Sequence, residues 1–300
     1  LVPAVSAAGD EVSADQVRPL TEHVKDHRMA KAALEMAVLD AELRAAGVSL
    51  ATHLGATETW IPSGVSVGIQ PSVAELVDVV DGYVTEGYRR IKLKIEPGFD
   101  VDAVRAVRER IGPDVPLQVD ANTAYTLADA DHLARLDEFD LLLIEQPLAE
   151  DDVAGHVELA KRLRTPVCLD ESIVSAAGAV DAIARGACSV VNIKAGRVGG
   201  YLEAVRLHDA CRERGVPVWC GGMVETGLGR AANAALAALP GFTLPGDTSG
   251  SARFFTSDLT EPLVLRDGGL DVPTRPGLGV TPLPDRLAAF TVHAEWLRPA

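Results

Sequence analysis

The chain has 300 residues, of which 47% are hydrophobic and 24% are charged, and its formal net charge is −15. This composition excludes a disordered or fibrous chain, and the length suits about two domains or one large barrel with an appendage. A chain of this charge repels phosphate backbones and anionic lipids, so nucleic acid and membrane partners are not expected, whereas divalent cations are.

The apolar runs and the cysteines indicate a soluble, cytoplasmic protein. A charge or a proline breaks every apolar run well before the roughly 18 residues that a membrane span requires. The four cysteines, at positions 168, 188, 211 and 220, have no C-x-x-C or Cys/His metal spacing. We expect buried free thiols in a reducing compartment.

The part of the chain before residue 61 contains one strong helix signal. Residues 29–46 are rich in helix formers and are followed by Gly47, a residue type that commonly ends helices. Ala32, Ala33 and Ala37 are small enough for close packing. We expect this helix to pack against the domain that follows.

From residue 62 to residue 246, short β-branched or leucine-rich runs alternate with amphipathic stretches, which is typical of βα units. Eight runs have the composition of strands: 64–69, 90–95, 117–120, 141–145, 167–170, 190–194, 216–220 and 242–244. Seven helices separate them, and cap signals at Ser72, Asp100 and Thr126 mark where three of these helices begin. Eight parallel strands favour a closed barrel, with a doubly wound open sheet as the alternative.

The βα period ends after residue 250. Five prolines between residues 262 and 284 indicate an irregular segment that closes over another part of the protein. We therefore expect three parts: a leading part over 1–60, a catalytic barrel over 61–250 and a C-terminal segment over 251–300.

Five ionisable residues end consecutive predicted strands. They are separated by 26, 25, 25 and 24 residues, one βα unit per step: Lys94, Asp120, Glu145, Asp170 and Lys194. Enzymes built on parallel barrels form their active sites at the carboxyl ends of the strands. We expect these five side chains in one ring, with Lys92 and Asn192 one pleat below it on the same strand faces.

This ring predicts a metal site between two lysines. Three converging carboxylates need a cation, and a site of oxygen ligands without histidine or cysteine suits Mg²⁺ or Mn²⁺. A metal that holds a substrate carboxylate can stabilise the ene-diolate formed when a lysine removes the α-proton. Such a lysine needs a lowered pKa, for which Lys92, Arg197 and the metal are candidate causes. The predicted chemistry is racemisation, epimerisation or β-elimination.

Two other classes of protein stay open at this point. Lys194, at the end of the sixth predicted strand, could form a Schiff base with a carbonyl substrate, as in a lyase. A truncated barrel could also serve as a binding module without catalysis. The three carboxylates argue against the lyase, and the complete ring argues against the binding module.

Seven short motifs carry a resemblance to a known family. They are KLK at 92–94, DAN at 120–122, EQP at 145–147, DES at 170–172, NIK at 192–194, GGMVETG at 221–227 and PGDTS at 245–249. Through them the chain resembles the enolase superfamily, in its muconate-lactonizing subgroup, and most closely the N-acylamino acid racemase / o-succinylbenzoate synthase family. Sites of this superfamily use a Lys or His base with Mg²⁺ that stabilises an ene-diolate.

The resemblance implies a fold and a set of catalytic roles. The fold is α/β, a TIM-like (β/α)7β barrel with an α+β capping domain, whose N-terminal part has no counterpart in this sequence and whose remainder is 1–60. Asp120, Glu145 and Asp170 resemble the ligands of Mg²⁺, or of Mn²⁺ or Co²⁺. Lys94 and Lys194 resemble the acid/base pair.

Further positions resemble supporting or substrate-binding residues of the family. They are Lys92, Ser66, Asn122, Asn192, Arg197, Gly222, Met223, Val224 and Glu225. Residues 222–224 match the place where the acyl group sits, and Arg197 resembles a marker of members that racemise N-acylamino acids. One departure is Ala195, where the family pattern more often has proline, and its effect is expected on loop stiffness.

The function implied by the resemblance is metal-dependent racemisation of N-acylamino acids through an ene-diolate. N-succinylamino acids are the expected substrates, and dehydration to o-succinylbenzoate is the expected second activity. A dipeptide epimerase or a cycloisomerase of the same superfamily is the alternative. We expect a small-molecule carboxylate substrate and a homo-oligomer.

Overall fold

The computed structural model describes residues 1–9 and 11–296. Nine strands lie within these residues: β1 (Trp60–Pro62), β2 (Gly64–Val67), β3 (Arg90–Lys94), β4 (Leu117–Asp120), β5 (Ile144–Glu145), β6 (Val167–Leu169), β7 (Val190–Ile193), β8 (Val218–Cys220) and β9 (Gly269–Asp271). The same residues form thirteen α-helices: α1 (Val2–Ser6), α2 (Ala14–Thr21), α3 (Arg28–Ala46), α4 (Leu50–Leu54), α5 (Val73–Glu86), α6 (Val101–Ile111), α7 (Ala130–Leu133), α8 (Val153–Ala160), α9 (Ala176–Ala184), α10 (Ala195–Val198), α11 (Tyr201–Glu213), α12 (Gly227–Ala237) and α13 (Pro284–Phe290). Three 3₁₀ segments also occur there: Leu127–Asp129, Ala134–Phe139 and Ser251–Arg253.

Strands β2 to β8 form one curled parallel sheet in which each strand pairs with the next one along the chain. A doubly wound sheet would reverse its strand order at the middle, so that alternative is wrong, and the α/β class is confirmed. The large apolar core joins the sheet to its helices, and a separate small cluster contains Leu143, Cys168, Val190 and Trp219. The carboxyl ends of all seven strands lie at one edge of the sheet.

The expected eighth strand, 242–244, is not formed as a strand. This segment makes one isolated bridge to β8, and Pro245 follows it with no N–H to donate to a ladder. The chain nevertheless contacts both edge strands just beyond this point. The backbone N–H of Asp247 donates to β8 (2.8 Å), and Gly64 of β2 donates to the carbonyl of Gly246 (2.7 Å).

The other seven strands lie where the sequence predicts them, but several are shorter. β5 covers Ile144–Glu145 instead of 141–145, and β7 ends at Ile193. Lys194 is therefore the residue before α10, and Asp170 likewise follows β6. All five charged residues still lie at, or directly after, the carboxyl ends of their strands.

The capping signals that the sequence shows are found at helix starts. Ser72 Oγ accepts a hydrogen bond from Glu75 N (3.2 Å) at the start of α5. Asp100 Oδ1 accepts one from the first backbone N–H of α6 (2.5 Å). The helix expected after Thr126 is divided, since α7 stands between two 3₁₀ segments.

The leading part of the chain supports the region around Lys194. Helix α3 begins one residue before the expected 29–46 and ends at Ala46. Gly47 caps its C-terminus, with a φ of 68°. It packs against α10, which directly follows Lys194. Glu35 of α3 accepts a hydrogen bond from Leu202 N at the start of α11 (3.1 Å), and burial raises the pKa of this carboxyl. Contacts from α3 therefore hold both helices that follow β7.

The segment after residue 250 lies against earlier parts of the chain. Its strand β9 pairs antiparallel with β1. Residues 297–300 of the expected C-terminal segment lie outside the described residues. The four cysteines are buried and free, as the sequence predicts. No helix in the described part of the chain is long and apolar enough to cross a membrane.

Gly64 provides a test of how β2 meets the chain beyond residue 244. The buried Arg90 guanidinium beside it donates to Pro245 O (2.9 Å) and to Asp247 Oδ1 (2.9 Å). A Cβ at Gly64 would overlap this guanidinium, whose bonds leave it little freedom to move. We expect Gly64→Ala to lower the free energy of unfolding by about 1–3 kcal/mol, the usual effect of overpacking a buried site.

Gly68 offers a matched control, because nothing lies within 4 Å of a Cβ added there. Gly68→Ala should change the free energy of unfolding by less than about 0.5 kcal/mol. Urea denaturation of the wild type and both variants measures the difference. Equal stability of the two variants would contradict the packing role assigned to Arg90.

Candidate active site

A cavity of about 420 Å³ opens at the carboxyl ends of the strands. Nine of the residues singled out in the sequence line it: Ser66, Lys92, Lys94, Asn122, Lys194, Arg197, Gly222, Met223 and Val224. Four others are fully buried polar residues. Asp120, Glu145 and Asp170 accept hydrogen bonds from the lysines, and Asn192 donates to Glu145. Glu225 instead lines a smaller neighbouring pocket. The structure thus brings the five charged residues together.

Lys94 stands between the cavity and a buried carboxylate. It ends β3, and the parallel register places it opposite Asp120 at the end of β4. Its Nζ donates to Asp120 Oδ2 (2.6 Å) and to Asn122 Oδ1. The lysine side chain is 30% exposed and the carboxylate is inaccessible, so this ammonium is the part that a ligand can reach.

Lys194 occupies the corresponding place at the end of β7. Its Nζ donates to Asp170 Oδ2 (2.6 Å), and Arg197 Nε donates to the other oxygen of the same carboxylate (2.9 Å). The turn of α10 brings Arg197 back to this position, three residues after the lysine. One buried carboxylate therefore holds two cations at the cavity wall.

The expected lowering of the lysine pKa by Arg197 is wrong for this arrangement. Burial lowers the pKa of Lys194, but the carboxylates of Asp170 and Glu145 outweigh burial and the net pKa is raised. Arg197 forms an ion pair with the same carboxylate as the lysine, that of Asp170. Lys194 consequently stands in this structure as an ammonium, the form that donates a proton.

Lys92 lies one pleat below Lys94 and is almost completely buried. Its Nζ donates to Glu145 Oε2 (2.9 Å) and lies 2.7 Å from Asp247 Oδ2 and 3.3 Å from Asp120 Oδ2. The ammonium also stands 4.7 Å from the centre of the Trp219 ring. Lys92 therefore balances charge inside the site. We call the four carboxylates around these lysines the carboxylate cluster: Asp120, Glu145, Asp170 and Asp247.

The members of the carboxylate cluster differ in how well their charge is balanced. For Asp120, burial raises the pKa, but Lys92 and Lys94 outweigh burial and lower it to about 2. For Glu145, burial together with the charges of Asp120 and Asp170 prevails over Lys92 and raises the pKa to about 8. Glu145 is thus the carboxylate whose charge the chain compensates least.

The donor chemistry of this cluster fits a divalent cation, although a ready metal cage is not formed. Within 1–9 and 11–296, no three His, Cys, Asp or Glu side chains are grouped as metal ligands. The three predicted ligands each bond to nitrogen donors of the chain instead. Carboxylates that are buried together and include one of raised pKa provide the hard oxygen ligands that Mg²⁺ prefers.

Sequence reasoning missed two residues that complete the charge balance of the cluster: the buried Arg90, and Asp247, whose side chain is 12% exposed. Asp247 accepts hydrogen bonds from Lys92 and from Arg90, and these cations outweigh burial and hold its pKa well below the usual range. A signal for Asp247 was present in the PGDTS motif, directly after the last predicted strand. Arg90 begins β3 and has no comparable signal. Arg253 and Phe254, from the segment without a period, also line the cavity, and no sequence pattern marks them.

Comparison with known proteins gives the family of the chain. Residues 75–286 match the enolase C-terminal domain-like family, and the chain belongs to this family. N-succinylamino acid racemase from Amycolatopsis sp is 65% identical over 297 residues, which are 99% of this chain and 80% of that protein. o-Succinylbenzoate synthase from Geobacillus stearothermophilus is 55% identical over 257 residues, which are 85% of this chain and 68% of that protein.

Solved structures agree with this assignment. A member of the enolase superfamily from Listeria innocua Clip11262 superposes with a TM-score of 0.92 at 41% identity, over 97% of this chain and 79% of that one. Muconate cycloisomerase from Pseudomonas fluorescens gives a TM-score of 0.85 at 27% identity, over 93% and 80% of the two chains. The resemblance predicted from the motifs is confirmed.

Replacement of Lys92 tests whether it balances the carboxylate cluster. In metal-free buffer, Lys92→Met should lower the free energy of unfolding by about 3–5 kcal/mol, because it leaves buried carboxylates without their cation. Lys161→Met is the control, since the Lys161–Glu158 pair is exposed (62% and 51%). Its cost should be about 0–1 kcal/mol. Chemical denaturation compares the two, and a small cost for both would contradict the role given to Lys92.

Proposed function

We propose that the chain is an enzyme that racemises N-acylamino acids, with N-succinylamino acids as its substrates. The observation that carries the proposal is the pair of lysines in one cavity, Lys94 and Lys194, each bonded to a different carboxylate of the cluster. Racemisation requires two proton-transferring groups that reach the same α-carbon. The named activity of the Amycolatopsis relative supports this reaction.

In the proposed mechanism, the chain moves one proton off the α-carbon and another onto it. One lysine, as the free amine, takes the α-proton and becomes an ammonium. The other lysine, as an ammonium, gives its proton to the opposite face of the α-carbon and becomes an amine. The roles of Lys94 and Lys194 exchange when the other enantiomer is the substrate. Asn122 and Arg197 position the two lysines through the contacts described above.

We infer that Asp120, Glu145 and Asp170 hold a divalent cation, Mg²⁺ or else Mn²⁺ or Co²⁺. When bound, the cation supplies positive charge beside the substrate carboxylate, where negative charge develops as the α-proton leaves. Asn192 supports this set, since its Nδ2 donates to Glu145 Oε1 (2.7 Å) and orients that carboxylate. Sites of the enolase superfamily combine a lysine or histidine base with Mg²⁺, which agrees with this inference.

We assign the remaining wall of the cavity to substrate binding. Ser66 and residues 222–224 line the same cavity as the lysines, and Met223 and Val224 are 44% and 67% exposed, as contact with an apolar group would need. Glu225 shapes this wall from behind, because its Oε1 accepts hydrogen bonds from Met223 N (2.8 Å) and Asn233 Nδ2 (3.0 Å).

Synthesis of o-succinylbenzoate is the second candidate function. The ion pair between Lys194 and Asp170 (2.6 Å) favours it, because a dehydration can use this side chain as a fixed ammonium while Lys94 removes the proton. The name of the Geobacillus relative points in the same direction. A Schiff-base lyase fits less well, since its lysine nucleophile does not require the three buried carboxylates that surround the lysines here.

We also propose the wider setting of this site. Residues 242–247 close the sheet into a barrel by contacts to β2 and β8, the barrel covers 61–250, and the leading 1–60 belong to a capping domain. The C-terminal segment begins at residue 251, and its described residues up to 296 pack on both the barrel and the capping domain in this proposal. Action in the cytoplasm and assembly as a homo-oligomer stay predictions, and light scattering of the purified protein would measure the assembly.

Metal binding is tested on Glu145. Glu145→Gln removes the charge of the least compensated carboxylate, so Mg²⁺ affinity should fall at least about 100-fold, since even residues behind metal ligands change affinity by 10–100-fold. Titration calorimetry of the protein without substrate measures the affinity. Glu158→Gln is the control, because this exposed glutamate pairs with Lys161 alone among residues 1–9 and 11–296. Unchanged Mg²⁺ affinity in Glu145→Gln would contradict the metal assignment.

The two-lysine mechanism is tested by proton exchange. Lys94→Ala and Lys194→Ala should each lower racemisation by at least about 10²–10⁴-fold, the usual contribution of a positioned acid or base. Each variant should still exchange the α-proton of one enantiomer in D₂O, a different enantiomer for each variant. Proton NMR with N-succinylamino acids measures the exchange, and Lys161→Ala is the control. Full racemase activity in either variant would show the mechanism to be wrong.

A further inference from the structure

The cavity wall contains one cation that the chain does not neutralise. Five basic side chains line the cavity: Lys92, Lys94, Lys194, Arg197 and Arg253. The first four each form an ion pair with a member of the carboxylate cluster. Arg253 forms no ion pair with any residue of the described chain, although the protein carries a net charge of −15. An unpaired cation in a cavity is an attachment point for an anionic group of a ligand.

Contacts of Arg253 hold its guanidinium in one place. The residue ends the 3₁₀ segment Ser251–Arg253, and its Nη2 donates to Ser66 O of β2 (3.0 Å). The guanidinium carbon lies 5.0 Å from the centre of the Tyr83 ring and 5.1 Å from the centre of the Phe254 ring. The buried Nε has no hydrogen-bond partner in the described structure. A guanidinium fixed between two rings with unused donors is already arranged to bind a planar anion.

The substrate class proposed above contains such an anion, so this step rests on the proposed function. An N-succinylamino acid has two carboxylates, one on the α-carbon and one at the far end of the acyl group. The α-carboxylate belongs beside the lysines that act on the α-proton. The far carboxylate then needs a separate cation on the same cavity wall, and each lysine and Arg197 is already paired.

We propose that Arg253 binds the distal carboxylate of the N-acyl group and thereby selects acyl groups that end in a carboxylate. Guanidinium binds carboxylate through two parallel N–H donors, a geometry that a single ammonium cannot offer. Its bond to Ser66 O places this selection at the wall formed by β2. Arg253 is a specificity residue and takes no part in the proton transfers.

Paired substrates separate this role from a packing role. The comparison uses an N-succinylamino acid and its N-succinamoyl counterpart, in which a neutral amide of the same shape replaces the distal carboxylate. In the wild type, kcat/KM should favour the succinyl substrate. Arg253→Met should lower kcat/KM for this substrate by about 10–100-fold, through KM, as expected for the loss of a charged hydrogen bond. The values for the succinamoyl substrate should stay nearly unchanged.

Equilibrium binding distinguishes failure of this inference from failure of the proposed function. Calorimetry measures the affinity for the N-succinylamino acid, which should be lower in Arg253→Met than in the wild type by about 10–100-fold. This holds whether or not the wild type turns the ligand over. Arg266→Met, at an exposed arginine on the surface, is the control and should bind as the wild type does. If Arg253→Met does not fold, Arg253→Gln, which can still donate to Ser66 O, replaces it in both assays. Equal losses for the two substrates, or unchanged binding of the succinyl ligand, would overturn the assignment.

Discussion

The architecture of the site depends on a buried lysine that balances the carboxylates around it. Lys92 and Glu145 lose their hydration and Asp247 loses most of it, and each ion would cost several kcal/mol without the contacts that join them. These groups come from β3, from β5 and from the segment after residue 244. Their charge balance therefore requires distant parts of the chain to meet at one point. The position of the groups proposed to be catalytic is a consequence of this requirement.

The cations at the cavity wall are positioned by the same carboxylates. Asp120 lies against both Lys92 and Lys94, and Asp170 accepts hydrogen bonds from both Lys194 and Arg197. A carboxylate shared by two cations limits where each of them can stand, because a shift of one weakens both contacts. The cavity consequently has an anionic floor and a cationic wall. In the proposed function, the cations of this wall orient a carboxylate substrate before any proton moves.

The regular part of this arrangement can be predicted from the sequence, and the irregular part cannot. Asp120 and Glu145 are 25 residues apart because one βα unit takes about that length. The period alone therefore predicts that both lie at the carboxyl ends of neighbouring strands. Arg253 reaches Ser66 across 187 residues, from a segment without a period, and no local pattern sets that contact. The pKa of Lys194 was equally out of reach. The pKa of Lys194 is raised if an anion lies nearer and lowered if a cation lies nearer, and only the distances in the structure decide between the two.

The strand ends of the βα units and the irregular segments also have different proposed roles in the site. In the proposed mechanism, loss of the α-proton requires the groups at the strand ends, and we assign the rest of the substrate to residues of irregular segments that line the cavity, such as Val224, Arg253 and Phe254. Racemisation and dehydration to o-succinylbenzoate both begin with loss of an α-proton, so they make the same demand on the strand ends. What distinguishes them is how the remainder of the substrate is held after that proton has left. The irregular wall therefore decides between the two reactions, and a single fold can serve proteins named for either one.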